Sequence, residues 1–223
     1  GKMSMTQKQT ELTQPGKLLE PSGKLAQVGW CRQQILDCNL ENARFYALRG
    51  FQRFRMKRWD YYAVFTPTRF FSATIADLGY AGNIFVYTID FATNDLHEEG
   101  LVIPLGKGIT LPRNSTSGDA HFADKRLSMD FHLTPEGRRV QVNWPAFHEG
   151  RGIQADILLR CLPEHESMVI VIPIGERRFY YNRKTNCMPA EGTLRYGEVN
   201  ETLEPAACSG SLDWGRGVWE YRS

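Results

Sequence analysis

Two segments pack aromatic rings, amides, acids and cations into short dense runs. They are Arg178-Phe179-Tyr180-Tyr181-Asn182-Arg183-Lys184-Thr185-Asn186-Cys187-Met188-Pro189-Ala190 and Leu212-Asp213-Trp214-Gly215-Arg216-Gly217-Val218-Trp219-Glu220-Tyr221-Arg222. In an extended chain Arg178, Tyr180, Asn182 and Lys184 share one face, and Phe179 and Tyr181 share the other. Turned into a cavity, the polar face offers a cation and an amide beside tyrosine rings, which suits a ligand carboxylate or carbonyl. Turned to water, the same residues are ordinary strand surface. Asp213 and Arg216 read as a salt bridge in a tight glycine turn, because the guanidinium fork fits a carboxylate. A sharper reading makes Asp213 a proton donor to an apolar substrate held between aromatic walls. Asp60, inside Trp59-Asp60-Tyr61-Tyr62, is a second candidate acid or base, and burial among aromatics would raise its pKa. The candidate catalytic residues are therefore Asp60 and Asp213. The candidate ligand contacts are Trp59, Tyr61, Tyr180, Asn182, Lys184, Trp214 and Arg216.

Several chemistries find no support. The five histidines, His97, His121, His132, His148 and His165, lack metal-ligand spacing, and the five cysteines match no zinc pair, so no metal or other cofactor is expected. Reduced thiols are the expectation for those cysteines. No phosphate-binding glycine loop, nucleophile elbow or paired-histidine helix occurs. Asp77, at a strand end before Leu78-Gly79-Tyr80, reads as a turn cap.

One stretch is strongly cationic. Arg44 to Trp59 interleaves arginines and Lys57 with Phe45, Tyr46, Phe51 and Phe54 and contains no acid. Such a pattern can grip single-stranded nucleic acid or lie on an anionic lipid surface. The competing reading is a solvated first strand with its aromatics turned inward. The net charge of +2 over the whole chain favours that reading, and no nucleic-acid partner is expected.

The elements that position these residues read as strands. Residues 1–27 are polar and broken by Pro15-Gly16 and Pro21-Ser22-Gly23, an irregular arm strapped down through Leu18, Leu19 and Leu25. A short helix is expected from Val28 to Asp37. From Trp59 onward, strands are expected at 60–66, 69–76, 83–91, 127–133, 140–144, 153–159, 168–174, 178–183 and 192–196. Leu127, Met129, Phe131 and Leu133 alternate with Ser128, Asp130 and His132, the period of a half-buried strand. Short links such as Thr134-Pro135-Glu136-Gly137 make these strands an antiparallel meander, for which a barrel or sandwich manages the edges. At 223 residues the chain is long enough for a sizeable core. No run is long enough for a membrane span, and the first eight residues lack the apolar stretch of a secretory signal, so a cytoplasmic location is expected. The glycosylation-type triplets at Asn114 and Asn200 are read as chance matches.

Four dense motifs in order resemble the domain of unknown function 2804 family. They are Trp59-Asp60-Tyr61-Tyr62-Ala63, Ala76-Asp77-Leu78-Gly79-Tyr80-Ala81-Gly82, Arg178 to Asn182 with Asn186 to Ala190, and Leu212 to Trp219. The opening Glu11 to Gly16 with Gly29-Trp30 also fits. The family is distantly similar to lipocalin-like proteins typified by carotenoid hydratase and tocopherol cyclase. The resemblance implies a lipocalin-like β domain over residues 28–223, shorter than its family at the C-terminus and with a possible incomplete second barrel. It carries over no catalytic residue. An open sheet edge within residues 190–223, inviting a second copy or a completing chain, is expected to follow. The expected function is binding of an apolar or amphipathic small molecule, lipid-like or isoprenoid-like, in a β-barrel cavity. One alternative is acid-catalysed hydration, cyclisation or isomerisation of such a ligand. Another is an assembly subunit without a small-molecule site.

Overall fold

The structure, a computed structural model, describes residues 9–162 and 165–220; the first eight residues of the arm, with Tyr221 and Arg222, lie outside the described residues. The strands are β1 (Gly16–Lys17), β2 (Gly29–Cys31), β3 (Leu36–Asp37), β4 (Lys57–Phe65), β5 (Arg69–Asp77), β6 (Ala81–Asp90), β7 (Leu96–Pro104), β8 (Ala120–Ala123), β9 (Ser128–Thr134), β10 (Gly137–Trp144), β11 (Ile153–Arg160), β12 (Met168–Ile174), β13 (Arg178–Tyr196), β14 (Val199–Leu203) and β15 (Ser209–Val218). Helix is confined to one turn, α1 (Phe147–Gly150), and to 3-10 turns at Leu40–Asn42 and Arg49–Phe54. The fold is the expected all-β one, a strongly curled antiparallel sheet of half-barrel form.

One strand organises that curl. Residues 178–184 of β13 pair with β12, while residues 190–196 continue beyond it to pair with β11 and β14. The change falls at a register shift between Thr185 and Met188, where Cys187 takes a left-handed φ of 57°. An extra residue of this kind bends a strand and increases its twist. The result is two sheets sharing one strand: β2-β12-β13-β15-β4-β5-β6-β7 and β8-β9-β10-β11-β13-β14.

Alternation along the strands supplies the core between the two sheets. Tyr62, Val64, Phe71, Ile75, Ile84, Phe179, Tyr181 and Trp214 are buried from the first sheet, and Met129, Phe131, Val140, Ile157 and Leu159 from the second. The layers meet where the Tyr62 ring packs edge-on against Phe131, 4.7 Å between centroids. In the arm, Leu18 and Leu19 are fully buried, and the buried Asn39 side chain bonds both backbone groups of Leu19 at 2.8 Å.

Three expectations need correction. Residues 28–37 form β2, β3 and a link rather than a helix, because Leu36 faces the core while Gln33 and Gln34 bond distant backbone and side chains. The cationic stretch is not a strand until Lys57; it wraps as the 3-10 turn Arg49–Phe54 with Tyr46, Leu48 and Phe51 exposed. Leu212 to Val218 is β15 rather than a tight turn. The open edge expected within residues 190–223 is β14, which pairs with β13 alone, whereas β15 is hydrogen-bonded on both sides, to β4 and β13.

Candidate functional site

Strand alternation divides the sequence-predicted residues between the two faces of the first sheet. Trp59, Tyr61, Tyr180, Asn182, Lys184 and Asp213 lie on the outer face, away from the core. Asp60, Trp214 and Arg216 lie on the inner face and are buried there. The ladders bring the outer residues together: Trp59 and Asn182 both pair with Gly215, Tyr61 and Lys184 both pair with Asp213, and Tyr180 pairs with Gly217.

The glycines of the Trp-Gly-Arg-Gly run make that assembly possible. A Cβ on Gly215 would lie 1.9 Å from the Trp59 ring, and one on Gly217 would lie 2.8 Å from the Trp219 ring. The indoles therefore rest directly on the β15 backbone. Trp59 stacks on Tyr180 at 6.0 Å, and Trp219 meets both edge-on at 5.7 and 5.6 Å. Lys57 completes this corner, its ammonium 4.1 Å from the Trp219 ring centre.

Asp213 sits at the centre. Its Oδ1 accepts from Asn182 Nδ2 at 2.7 Å and from Trp59 Nε1 at 3.2 Å, while its Oδ2 lies 3.7 Å from Lys184 Nζ. Asn182 also donates to Trp214 O at 2.9 Å, which fixes its amide. Beside this cluster opens a cleft of about 390 Å3 lined by Trp59, Tyr61, Thr74, Ala76, Leu78, Asn83, Phe85 and Asp213. Its walls are mostly apolar and aromatic with a few polar groups, the usual character of a small-molecule site. Burial pushes the Tyr61 and Tyr180 hydroxyls above their ordinary pKa, so both stay protonated donors at neutral pH. Thr74 is 4% exposed, and its hydroxyl has no hydrogen-bond partner. A buried polar group left unsatisfied costs about 1–3 kcal/mol, and the Thr74 oxygen is itself closed to solvent, so a guest reaches it only if the wall shifts.

The inner face has a different character. Arg216 is fully buried, with Nη1 3.0 Å from Asp60 Oδ1 and 2.9 Å from the carbonyls of Trp59 and Gly215, and Nη2 2.7 Å from Pro112 O. Its guanidinium lies 4.2 Å from the Trp214 ring centre. Burial pushes the Asp60 carboxyl up and the Arg216 guanidinium down, each opposed by the other's charge. Burial also raises the Cys38 thiol to about 12 and, with the neighbouring Arg138, lowers Arg183 to about 10. The expected Asp213–Arg216 pair does not form. Residues three apart on a strand point to opposite faces, so Arg216 meets Asp60 and Asp213 meets Asn182 and Lys184.

Sequence reasoning missed the far wall of the cleft. Thr74 and Ala76 alternate with the core residues Ala73 and Ile75, and Asn83 and Phe85 alternate with Ile84 and Val86. The signal was that period of two in β5 and β6, which carries Thr and Asn to the same face as Trp59. Asp77 behaves as expected, accepting from Gly79 N at 2.8 Å and pairing with Arg58. Among the described residues no group of three His, Cys, Asp or Glu is placed to hold a metal ion, and no helix is long and apolar enough to cross a membrane.

Comparison with known proteins agrees with this architecture. Residues 9–223 match the profile of DUF2804, a domain of unknown function, and the chain belongs to that family. No curated protein matches the sequence. Among solved structures, a protein described as an AttH from Nitrosomonas europaea is similar over 80% of this chain and 57% of its own, at 15% identity and a TM-score of 0.50. Kievitone hydratase from Nectria haematococca is similar over 72% of this chain and 48% of its own, at 10% identity and a TM-score of 0.41. The chain spans about half the length of the solved structures it resembles. The first likeness shows a shared lipocalin-like fold.

Proposed function

We propose that this member of the DUF2804 family binds an apolar or amphipathic small molecule in the outer-face cleft. The observation that carries the reading is the cleft wall of Trp59, Tyr61 and Phe85 that also presents the Asp213 carboxylate. Trp59, Tyr61 and Phe85 supply flat apolar area at little entropic cost. Asn83 and Asp213 supply the few polar groups that orient a guest, and a ligand hydroxyl can donate to Asp213. The guest thus has an apolar body with a hydroxyl or carbonyl close to it.

The test is native mass spectrometry of the purified chain, coupled to organic extraction, followed by tryptophan fluorescence titration with a panel of lipid-like and isoprenoid-like alcohols. Saturable quenching that disappears in Trp59→Ala supports the reading. Failure of every member of the panel to bind, with no co-purifying molecule, overturns it.

A second reading rests on Asp213 as the carboxylate of the cleft wall. Placed against an alkene or a carbonyl, such a group can pass a proton in a hydration, cyclisation or isomerisation. Asp60 is on the opposite face, fastened to Arg216, and has no share in the cleft. Asp213→Asn separates the two readings: binding retained with turnover lost means catalysis, and binding without turnover in the parent chain means a carrier.

A further inference from the structure

The cationic-aromatic stretch that precedes β4 is not absorbed by the cleft. The 3-10 turn Arg49–Phe54 has no buried residue. Leu48 is 65% exposed and Phe51 57%, with Tyr46 also exposed. Arg49, Arg53 and Arg55 stand among them, exposed. Among the described residues none of these three arginines is ion-paired. The nearby acids Glu41 and Asp77 are engaged by Arg113 and Arg58. Single exposed apolar residues are normal, but a cluster rimmed by unpaired charge of one sign is an interaction surface.

The patch extends beyond the turn. The Arg53 carbonyl lies so close to Gly79 that a Cβ there would stand 2.3 Å from it, which seats the β5–β6 turn against the 3-10 turn. That turn presents the exposed Tyr80, whose carbonyl accepts from the N–H of Leu105 at 3.2 Å, and Leu105 is itself 66% exposed. Arg49, Arg53, Phe54, Gly79 and Leu105 line one shallow cavity. Leu78, on the same β5–β6 turn, lines the ligand cleft. The patch and the cleft thus flank a single turn.

We infer that this patch docks the protein on an anionic lipid surface, with Leu48, Phe51 and Leu105 entering the headgroup region and Arg49, Arg53 and Arg55 meeting acidic headgroups. Charge complementarity selects the partner, because basic residues near a membrane are drawn to its negative surface. The aliphatic Leu48 and Leu105 separate a bilayer from single-stranded nucleic acid, whose bases stack on aromatic rings and gain little from leucine. The docking stands whatever the cleft holds. It would place the cleft beside the lipid, where an amphipathic guest is concentrated.

The test is co-sedimentation of the full chain with vesicles of phosphatidylcholine alone and of phosphatidylcholine with phosphatidylserine, at low and high salt. The expected result is binding to the acidic vesicles only, reversed by salt. Arg49→Glu with Arg53→Glu lowers partitioning by at least about tenfold, since each basic residue contributes roughly fivefold. Leu48→Ser with Phe51→Ser lowers it by roughly tenfold at unchanged net charge. A control of equal charge change elsewhere, Lys125→Glu with Arg177→Glu, leaves it near the parent value, and thermal unfolding verifies that all variants are folded. Equal binding to neutral vesicles, an equal loss in the control, no binding at low salt, or binding only to a single-stranded oligonucleotide overturns the inference.

Discussion

The two faces of β4, β13 and β15 are built from the same strands and do opposite things. On the inner face the charged groups have their partners within the protein: Arg216 is held by Asp60 and three carbonyls, and Tyr181 donates to Leu36 O at 2.7 Å, while the Trp214 indole N–H is left without one. On the outer face Thr74 is left without a partner, and Asp213 spends its acceptors at the edge of an open cleft. A buried network of paired charges fixes one arrangement of a core, whereas a carboxylate on an open wall is available to a guest. Density of chemically able residues therefore does not mark a site. An aromatic wall open to solvent beside a carboxylate does.

The largest break in that comparison is Arg216→Met. It leaves the Asp60 carboxylate buried and uncompensated, and urea unfolding at pH 7 should show a loss of about 3–5 kcal/mol. Adding Asp60→Asn should recover much of it, since removing both charges avoids the lone buried ion. If the double variant is no better than the single, the pair is not the inner-face keystone described here.

Gly215→Ala links the faces. The new methyl would occupy the Trp59 ring position, so the indole must leave the strand. A loss of about 1–3 kcal/mol is expected from overpacking, together with loss of ligand-induced fluorescence quenching. Asp213→Asn keeps the shape and sharpens the outer-face assignment. Stability should change by less than about 1 kcal/mol, while affinity for a hydroxylated guest falls roughly tenfold. A stability loss as large as that of Arg216→Met would show that Asp213 serves the fold rather than the cleft.

The smallest effect concerns acid. Arg113 grips Asp37 at 2.7 and 2.8 Å and, with Asn114, holds its carboxyl down at about 2. A folded pKa below the ordinary value of about 3.9 means that the contribution is present above that value and fades as pH falls toward 2. Asp37 is partly exposed, so the effect is modest. Hydrogen exchange at β1 and β3 should accelerate in that window in the parent chain and less so in Asp37→Asn, which has already lost the charge.

Much of the fold was legible because one face of each central strand is dry. Met129, Phe131, Val140, Val142, Ile157 and Leu159 alternate cleanly, and their strands are found within three residues of the reading. β7 was not legible: its half-buried side begins with His97 and Glu99, so burial alternates along this edge strand without an apolar period in the sequence. The glycines at 215 and 217 suggested a turn when their role is to leave room for rings arriving from β4 and beyond β15. For the candidate site, the sequence pointed to strands that the fold makes neighbours and to Trp59, Tyr180, Asn182 and Asp213, which it gathers on one face. Alternation alone sets Asp60 opposite Trp59 and Tyr61, but the reading of Leu212 to Val218 as a glycine turn hid that Trp214 and Arg216 face away from Asp213.

Trp59 and Asp213 are 154 residues apart, and β4 and β15 are neighbours in the sheet. Pairings of such long range make folding slow relative to a helical chain of equal size, since loop closure precedes any reward. During synthesis β4 can already have β5 on one flank while its other flank stays bare until β15 emerges, and a bare flank recruits foreign strands. Chaperone dependence in this protein should therefore concentrate on nascent chains that end before Ser209 and fall sharply once Val218 has cleared the ribosome.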